Sequence, residues 1–326
     1  MEPQIGLEEI REAQRRISTI AHRTPLHHSP RLSSLTKAEV YLKLESYQPV
    51  RVFKIRGATN KILKLRPEEQ KRGFVAASSG NHGLAVAYVA NRVRSHATIV
   101  VPTTAVEEKV NAIREYNAQV IKHGLFHDER MSKALEIQKE KQAIFVHPFD
   151  DPDIIAGQGT IGLEIVEDLP GVEKVIVPIG GGGLISGIST AVKNLKPTAK
   201  IVGVEPERAS SMHQSILTGK ITRLSDTRSI ADGLATREPG TITFQIAKRN
   251  VDEIKLVTEE EIEKAVFTAL HEAHVLIEPS AAAALAASLK MNFKEGEKVV
   301  IVVSGGNISM KLLAQILSKY GQDKPA

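Results

Sequence analysis

The chain of 326 residues has no cysteine and no tryptophan. Without cysteine there is neither a disulfide framework nor a thiolate metal site, so a bridge-held secreted scaffold is excluded. Aromatic residues make up only 4%, too few for the stacking platforms on which nucleic-acid-binding proteins hold bases. No run of five or six basic residues occurs, and 43 Lys plus Arg exceed 38 Asp plus Glu by only five. A surface that mildly cationic suits small anions, such as phosphates and carboxylates, better than a nucleic acid. No stretch approaches the roughly 18 consecutive apolar residues that a membrane-crossing helix needs. The opening residues, MEPQIGLEEIREAQRRI, are charged and helical in pattern and contain no apolar signal-peptide core. The expectation is a soluble, cytoplasmic protein that binds neither nucleic acid nor membrane.

What is present is an alternation of apolar runs with amphipathic stretches. The runs at 39–45, 73–78, 97–102, 118–124, 143–148, 174–180, 200–206 and 298–306 are rich in Val and Ile and mostly end in Gly, Pro or Ser, so they read as strands. Helical patterns fill 5–22, 83–92, 105–116, 130–141, 159–168, 184–195, 259–273 and 280–289. Near-continuous apolar strands separated by helices predict an α/β fold with parallel sheets covered on both faces. In such sheets ligands bind beyond the carboxyl ends of the strands, where helices begin.

Three of those turns stand out: Ser78-Ser79-Gly80-Asn81-His82-Gly83, Gly180-Gly181-Gly182-Gly183 and Ser304-Gly305-Gly306-Asn307. Four successive glycines let backbone approach a ligand closely, and the helix that follows aims free N–H groups and its positive dipole end into the loop. That is a phosphate cradle; a tight strand–helix turn alone would need only one or two glycines. The cradle is not a P-loop, because no Gly-Lys-Ser/Thr follows. Glu205, 22 residues after Gly183, keeps a nicotinamide-binding alternative open. Lys54 opens a helical pattern, FKIRGATNKIL. A helix dipole lowers the basicity of an amine at its N-terminus, as a Schiff-base lysine requires. From this segment alone, one more solvated lysine is the favoured reading of Lys54.

These segments occur in a telling order. Lys43-Leu44-Glu45 is followed by Phe53-Lys54-Ile55-Arg56-Gly57-Ala58, then Ser78 to Gly83, then AGQGTIGLE at 156–164, the tetraglycine and Ser304 to Asn307. Thr24-Pro25-Leu26, Ala231-Asp232-Gly233 and Glu278-Pro279-Ser280 fall in register with them. From about residue 5 to 315 the chain resembles the threonine dehydratase and serine racemase family, within the tryptophan synthase β-type pyridoxal-phosphate (PLP) enzymes. The resemblance implies two three-layer α/β/α domains of PLP fold type II. A large domain would comprise 1–72 and 151–326, and a small inserted domain 73–150, with the active site between them. A homodimer or higher homo-oligomer is expected.

By the same resemblance Lys54 carries PLP as a Schiff base and moves the Cα proton of an amino-acid substrate. Phe53 packs beside the pyridine ring, and Asn81 bonds the phenolic oxygen. Gly180, Gly181, Gly182 and Gly183 hold the phosphate, with Leu184 continuing the loop. Gly233 and Glu278 complete the cofactor set. Ser304 faces the pyridine nitrogen, where a hydroxyl leaves the ring neutral, a weaker electron sink that favours elimination over reprotonation elsewhere. Ser78, Ser79, Gly80, Asn81 and His82 receive the substrate carboxylate at a helix N-terminus. The expected reaction converts a β-hydroxy amino acid, L-threonine first, to a 2-oxo acid and ammonia. The alternative on the same scaffold is a serine or aspartate-type racemase, with Ser79 as the second base; equally, Ser79 caps the following helix. A non-catalytic PLP-binding protein is the distant alternative beside the nicotinamide reading.

The chain also departs from the family pattern. Arg51-Val52 stands where relatives have Ser or Thr-Gly-Ser before Phe-Lys, and Leu84 replaces a common Gln. A divalent cation, Mg²⁺ or Ca²⁺, is held in relatives by a Glu, a carbonyl and an Asp; Glu205 and Ala209 match, but Ser211 replaces the Asp. Arg130 matches an arginine that engages a dicarboxylate or closes the small domain. The spacing of His27, His28, His123, His127 and His147 fits no zinc pattern, so transition-metal catalysis is not expected.

Overall fold

A computed structural model describes residues 5–78, 80–125 and 127–321. Ten strands run through them: β1 (Leu26–His28), β2 (Glu39–Leu44), β3 (Phe74–Ala77), β4 (Ala97–Val101), β5 (Gln119–Lys122), β6 (Ile144–Phe145), β7 (Lys174–Pro178), β8 (Lys200–Pro206), β9 (Glu253–Val257) and β10 (Lys298–Val303). They form a six-stranded sheet in the order β1-β2-β10-β7-β8-β9 and a four-stranded sheet in the order β5-β4-β3-β6. Every pairing is parallel except β1 with β2.

The central strands are what sequence reading expects of a doubly covered parallel sheet. Every residue of β3 and β4 is buried, as is all of β7 and β10 after its first residue. The two strands that sequence reading does not find, β1 and β9, lie at the edges of the larger sheet and are largely exposed. Edge strands need no continuous apolar run, because one side faces water. The helices Pro30–Thr36, Ser211–Thr218, Thr241–Asn250 and Met310–Tyr320 likewise escape the pattern reading. Three of them span ten residues or fewer, which leaves few turns over which to register a period.

The helix Lys54–Lys64 lies against Pro152–Asp168 at a distance only glycine permits. A β-carbon on Gly157 would fall 2.6 Å from the Gly57 Cα. Beside this contact sits a fully buried ionic cluster. Arg56 donates through Nε to Glu45 at 2.8 Å and through Nη1 to Glu164 at 2.6 Å. Lys43 reaches Glu164 at 2.6 Å and the Thr24 carbonyl at 2.6 Å, while the Thr24 hydroxyl donates to Glu45 at 2.5 Å. Lys43, Glu45, Arg56 and Glu164 are each no more than 3% exposed, and their formal charges cancel. Burial alone would push the Glu45 carboxyl up, but Arg56 beside it holds it below the usual range.

Removing one partner from such a cluster strands a buried charge, at a cost of about 3–5 kcal/mol. Arg56→Met is expected to destabilise the protein on that scale, read as a fall in the urea midpoint. A loss below about 1 kcal/mol, the worth of an exposed pair, would show that the cluster is wet.

Candidate active site

Three loops, following β2, β7 and β3, meet beside the turn after β10. The first holds Lys54. Its segment is pinned to the turn after β10, where the Phe53 N–H donates to the Ser304 carbonyl at 3.0 Å and Val52 bridges Gly305. The helix begins at Lys54 itself. Its amine donates to the Pro148 carbonyl at 2.6 Å and lies 5.1 Å from the Phe53 ring centre. Burial lowers its pKa from 10.5 to about 8. Desolvation in the closed site is the cause of this shift; it acts in the same direction as the helix dipole that sequence reading invokes. The consequence is the same: a larger share of neutral, nucleophilic amine.

The second loop is the tetraglycine. Gly182 adopts φ 95°, a left-handed conformation that glycine takes without strain. A side chain on Gly181 would enter the Phe149 ring, and one on Gly180 would come 2.9 Å from the Gly233 carbonyl. The helix Gly183–Leu195 starts inside the loop, and its first-turn N–H groups have no intrahelical acceptor. This is a backbone cradle shaped for an anion. Phe53, Lys54, Asn81, Leu184, Gly233, Glu278 and Ser304 line the same cavity, so the residues expected to hold the cofactor come together. Ser304 is 3% exposed.

The third loop follows β3. The Ser78 hydroxyl oxygen accepts the N–H of Gly80 at 3.1 Å and of Gly83 at 2.9 Å, which folds the turn into the helix Asn81–Arg92. Asn81 is held from both ends. Its amide nitrogen donates to Glu278 Oε1 at 2.7 Å, and its amide oxygen accepts from Asn307 at 2.9 Å. Burial raises the Glu278 carboxyl to about 7, against the pull of the Asn81 bond. His82 turns away to the Val146 carbonyl at 2.8 Å. Burial first, and then the Lys54 charge, lowers its pKa to about 3, so its imidazole is neutral and supplies no positive charge for a carboxylate. Ser79 lies outside the described residues.

A second cavity of about 130 Å³ continues from the first past Lys54, bounded by Ser78, Gly80, His82 and Arg130. The Arg130 guanidinium donates to the Leu125 carbonyl at 3.1 Å, and its buried Nε has no partner among the described residues. Sequence reading does not find Pro148, Phe149, Ser280 or the role of Asn307, although all line or bond this site. Pro148 and Phe149 have no signal beyond following a strand, as the other loops do, whereas Ser280 and Asn307 stand in motifs read above without a role of their own.

The expected cation ligands do not fit a divalent ion. Glu205 is fully buried, and its two oxygens accept the N–H groups of Met212 at 2.9 Å and His213 at 2.8 Å. The Ser211 hydroxyl is buried without a partner. One carboxylate faced by hydrogen-bond donors is not the oxygen-rich shell that Mg²⁺ or Ca²⁺ takes. Among the described residues no group of three His, Asp or Glu side chains could hold a metal.

A buried lysine of low basicity, facing a glycine cradle between two parallel α/β sheets, defines an enzyme built to hold a phosphorylated carbonyl cofactor. Residues 17–305 match the pyridoxal-phosphate dependent enzyme family, and the chain belongs to it. It is 49% identical over 315 residues to an L-threonine ammonia-lyase of Thermotoga maritima, covering 97% of this chain and 79% of that one. It is 39% identical to the catabolic L-threonine dehydratase TdcB of Escherichia coli K12, with 96% of each covered. Maize serine racemase superposes with a TM-score of 0.92 at 36% identity, covering 97% and 98% of the two chains.

A methyl group at position 181 tests the cradle. Gly181→Ala is expected to destabilise the apoprotein by about 1–3 kcal/mol through overpacking against Phe149 and to weaken PLP binding in a spectral titration. Unchanged affinity would mean that the loop is not in contact with the phosphate.

Proposed function

We propose that this protein is a PLP-dependent threonine ammonia-lyase that converts L-threonine to 2-oxobutanoate and ammonia. The observation that carries the reading is the low-basicity Lys54 amine beside a glycine cradle, with a serine rather than a carboxylate at the far end. The likeness to threonine ammonia-lyases over nearly the whole chain supports it.

Gly180 to Gly183 and Leu184 would hold the cofactor phosphate, Phe53 and Gly233 its ring, Asn81 its phenolic oxygen and Ser304 its ring nitrogen. Bound there, PLP supplies an electron sink for the carbanion formed when Cα loses a proton. The protein supplies the rest. Lys54 would hold the cofactor at its aldehyde carbon, and its amine, when neutral, would accept the Cα proton. Glu278, held by Asn81 and the Asn307 N–H, fixes the orientation of the Asn81 amide. The Ser78–Gly83 turn, at the start of a helix, takes the substrate carboxylate. The β-hydroxyl leaves with a proton as water, and a second water replaces the nitrogen, so carbon leaves as the 2-oxo acid and nitrogen as ammonia. No step runs through a divalent cation. Residues 73–150 form the small domain that closes on the substrate and shields the site from water. The assembly is a homodimer or higher homo-oligomer in the cytoplasm.

Serine racemisation is the second reading. Ser79 favours it, because racemases of the family this chain resembles carry a serine at that position, and so does the likeness to maize serine racemase.

Oxo-acid release and product chirality from L-threonine, L-serine, D-serine and threo-3-hydroxyaspartate decide between the two. Fast 2-oxobutanoate from L-threonine is expected, abolished in Lys54→Ala. A growing D-enantiomer without oxo acid would establish the racemase instead. Full activity in Lys54→Ala would sink both. The lowered Lys54 pKa makes a separate prediction. Below about 8 the amine is protonated, so PLP capture by the apoprotein should quicken about tenfold per pH unit up to that point and then level off. A rise that continues toward 10.5 would mean that Lys54 is solvated.

A further inference from the structure

The turn His147-Pro148-Phe149-Asp150 joins β6 of the smaller sheet to the site, and each of its residues meets another part of the turn, the cradle or Lys54. The His147 ring nitrogen Nδ1 accepts the N–H groups of Phe149 at 3.2 Å and Asp150 at 2.8 Å. Pro148 takes the Lys54 amine at its carbonyl. The Phe149 ring lies under Gly181, and its backbone lies 3.0 Å from where a Gly183 β-carbon would be.

Asp150 does something different. Its carboxylate accepts three successive N–H groups, from Thr241 at 3.0 Å, Ile242 at 2.9 Å and Thr243 at 3.1 Å, and so caps the helix Thr241–Asn250. Gly240 makes room for it, since a β-carbon there would overlap the carboxylate. The capped helix in turn grips the cradle. The buried Thr243 hydroxyl donates to the Gly181 carbonyl at 2.7 Å, and a β-carbon on Gly182 would lie 2.8 Å from Thr243.

Charge alone would not put a carboxylate here. Asp150 is the neighbour of Phe149, whose ring touches the cradle, and an anion near an anion site weakens it. We infer that Asp150 is a positioning residue for the phosphate cradle, acting through the Thr241–Asn250 helix and Thr243 to hold Gly181 and Gly182 in the anion-binding shape. The inference rests on the phosphate-holding role proposed for the tetraglycine. It predicts that affinity for the phosphate, and not for the pyridine ring, depends on a side chain that need not touch either.

The two forces on Asp150 predict opposite signs. As a local charge, its loss would tighten phosphate binding; as a brace, its loss would loosen it. The test resolves the holoenzyme with a carbonyl reagent and titrates it back with PLP and, separately, with pyridoxal, which lacks the phosphate. Asp150→Ala, which removes all three acceptors where an Asn would still cap the helix, is expected to raise the Kd for PLP roughly tenfold, the scale of a lost helix cap, and to leave that for pyridoxal within about twofold. Thr243→Val, which removes only the last link, should act in the same direction even if Asp150→Ala folds poorly. The double variant should be no worse than the more severe single one, because both cut one chain of contacts. Unchanged or tighter PLP binding in both variants overturns the inference. So does an equal loss for PLP and pyridoxal, the mark of general damage. Should the unaltered protein bind the two compounds equally, the cradle itself would not hold a phosphate, and the proposed function would fall first.

Discussion

The Arg56 guanidinium joins Glu45 at the end of β2 to Glu164 in the helix Pro152–Asp168, and Lys43 closes the set from within the sheet. Lys54 is two residues from Arg56 on the same helix. The cluster therefore fixes the rotation and height of that helix against the six-stranded sheet, and with them the direction in which the Lys54 amine enters the cavity. Buried ion pairs are poor sources of net stability, because desolvation offsets most of the attraction. Their use here is geometric. Each charge has only one arrangement in which it is paired, so a helix that slides or turns leaves a charge stranded. The glycine contact of Gly57 with Gly157 adds a steric limit in the same place.

The site is made mostly of backbone. The cradle is four glycines and a helix start, the turn after β3 is shaped by Ser78, and Phe53 is tied to Ser304 through its N–H. Side chains enter where protons or orientation matter. Lys54 is tuned by burial, and Asn81 is clamped between Glu278 and Asn307. This division suits an enzyme whose cofactor supplies the electron sink, since the protein then needs to hold an anion, orient a ring and move a proton. Ser211, in place of a carboxylate, leaves Glu205 serving backbone donors rather than a cation.

The central strands, the order of the three glycine-bearing turns and the position of Lys54 were legible before any coordinates. The reason is local. A strand covered on both faces must be apolar throughout, and a loop that approaches an anion must dispense with side chains; both constraints write themselves into consecutive residues. Edge strands β1 and β9 carried no such constraint and left no mark.

Other properties became visible only when distant segments met. The lowered pKa of Lys54 comes from walls contributed by several loops, and the Asn81 clamp joins residues 81, 278 and 307. The Asp150 cap spans some 90 positions to reach the helix beside the cradle. Sequence alone determined the fold class and the cofactor family and singled out the lysine, because these rest on short-range patterns and on motifs in register. Only the tertiary structure decided how deeply that lysine is buried and which groups meet around the cradle and around Glu205. Desolvation and hydrogen-bond geometry depend on which side chains arrive from elsewhere in the chain.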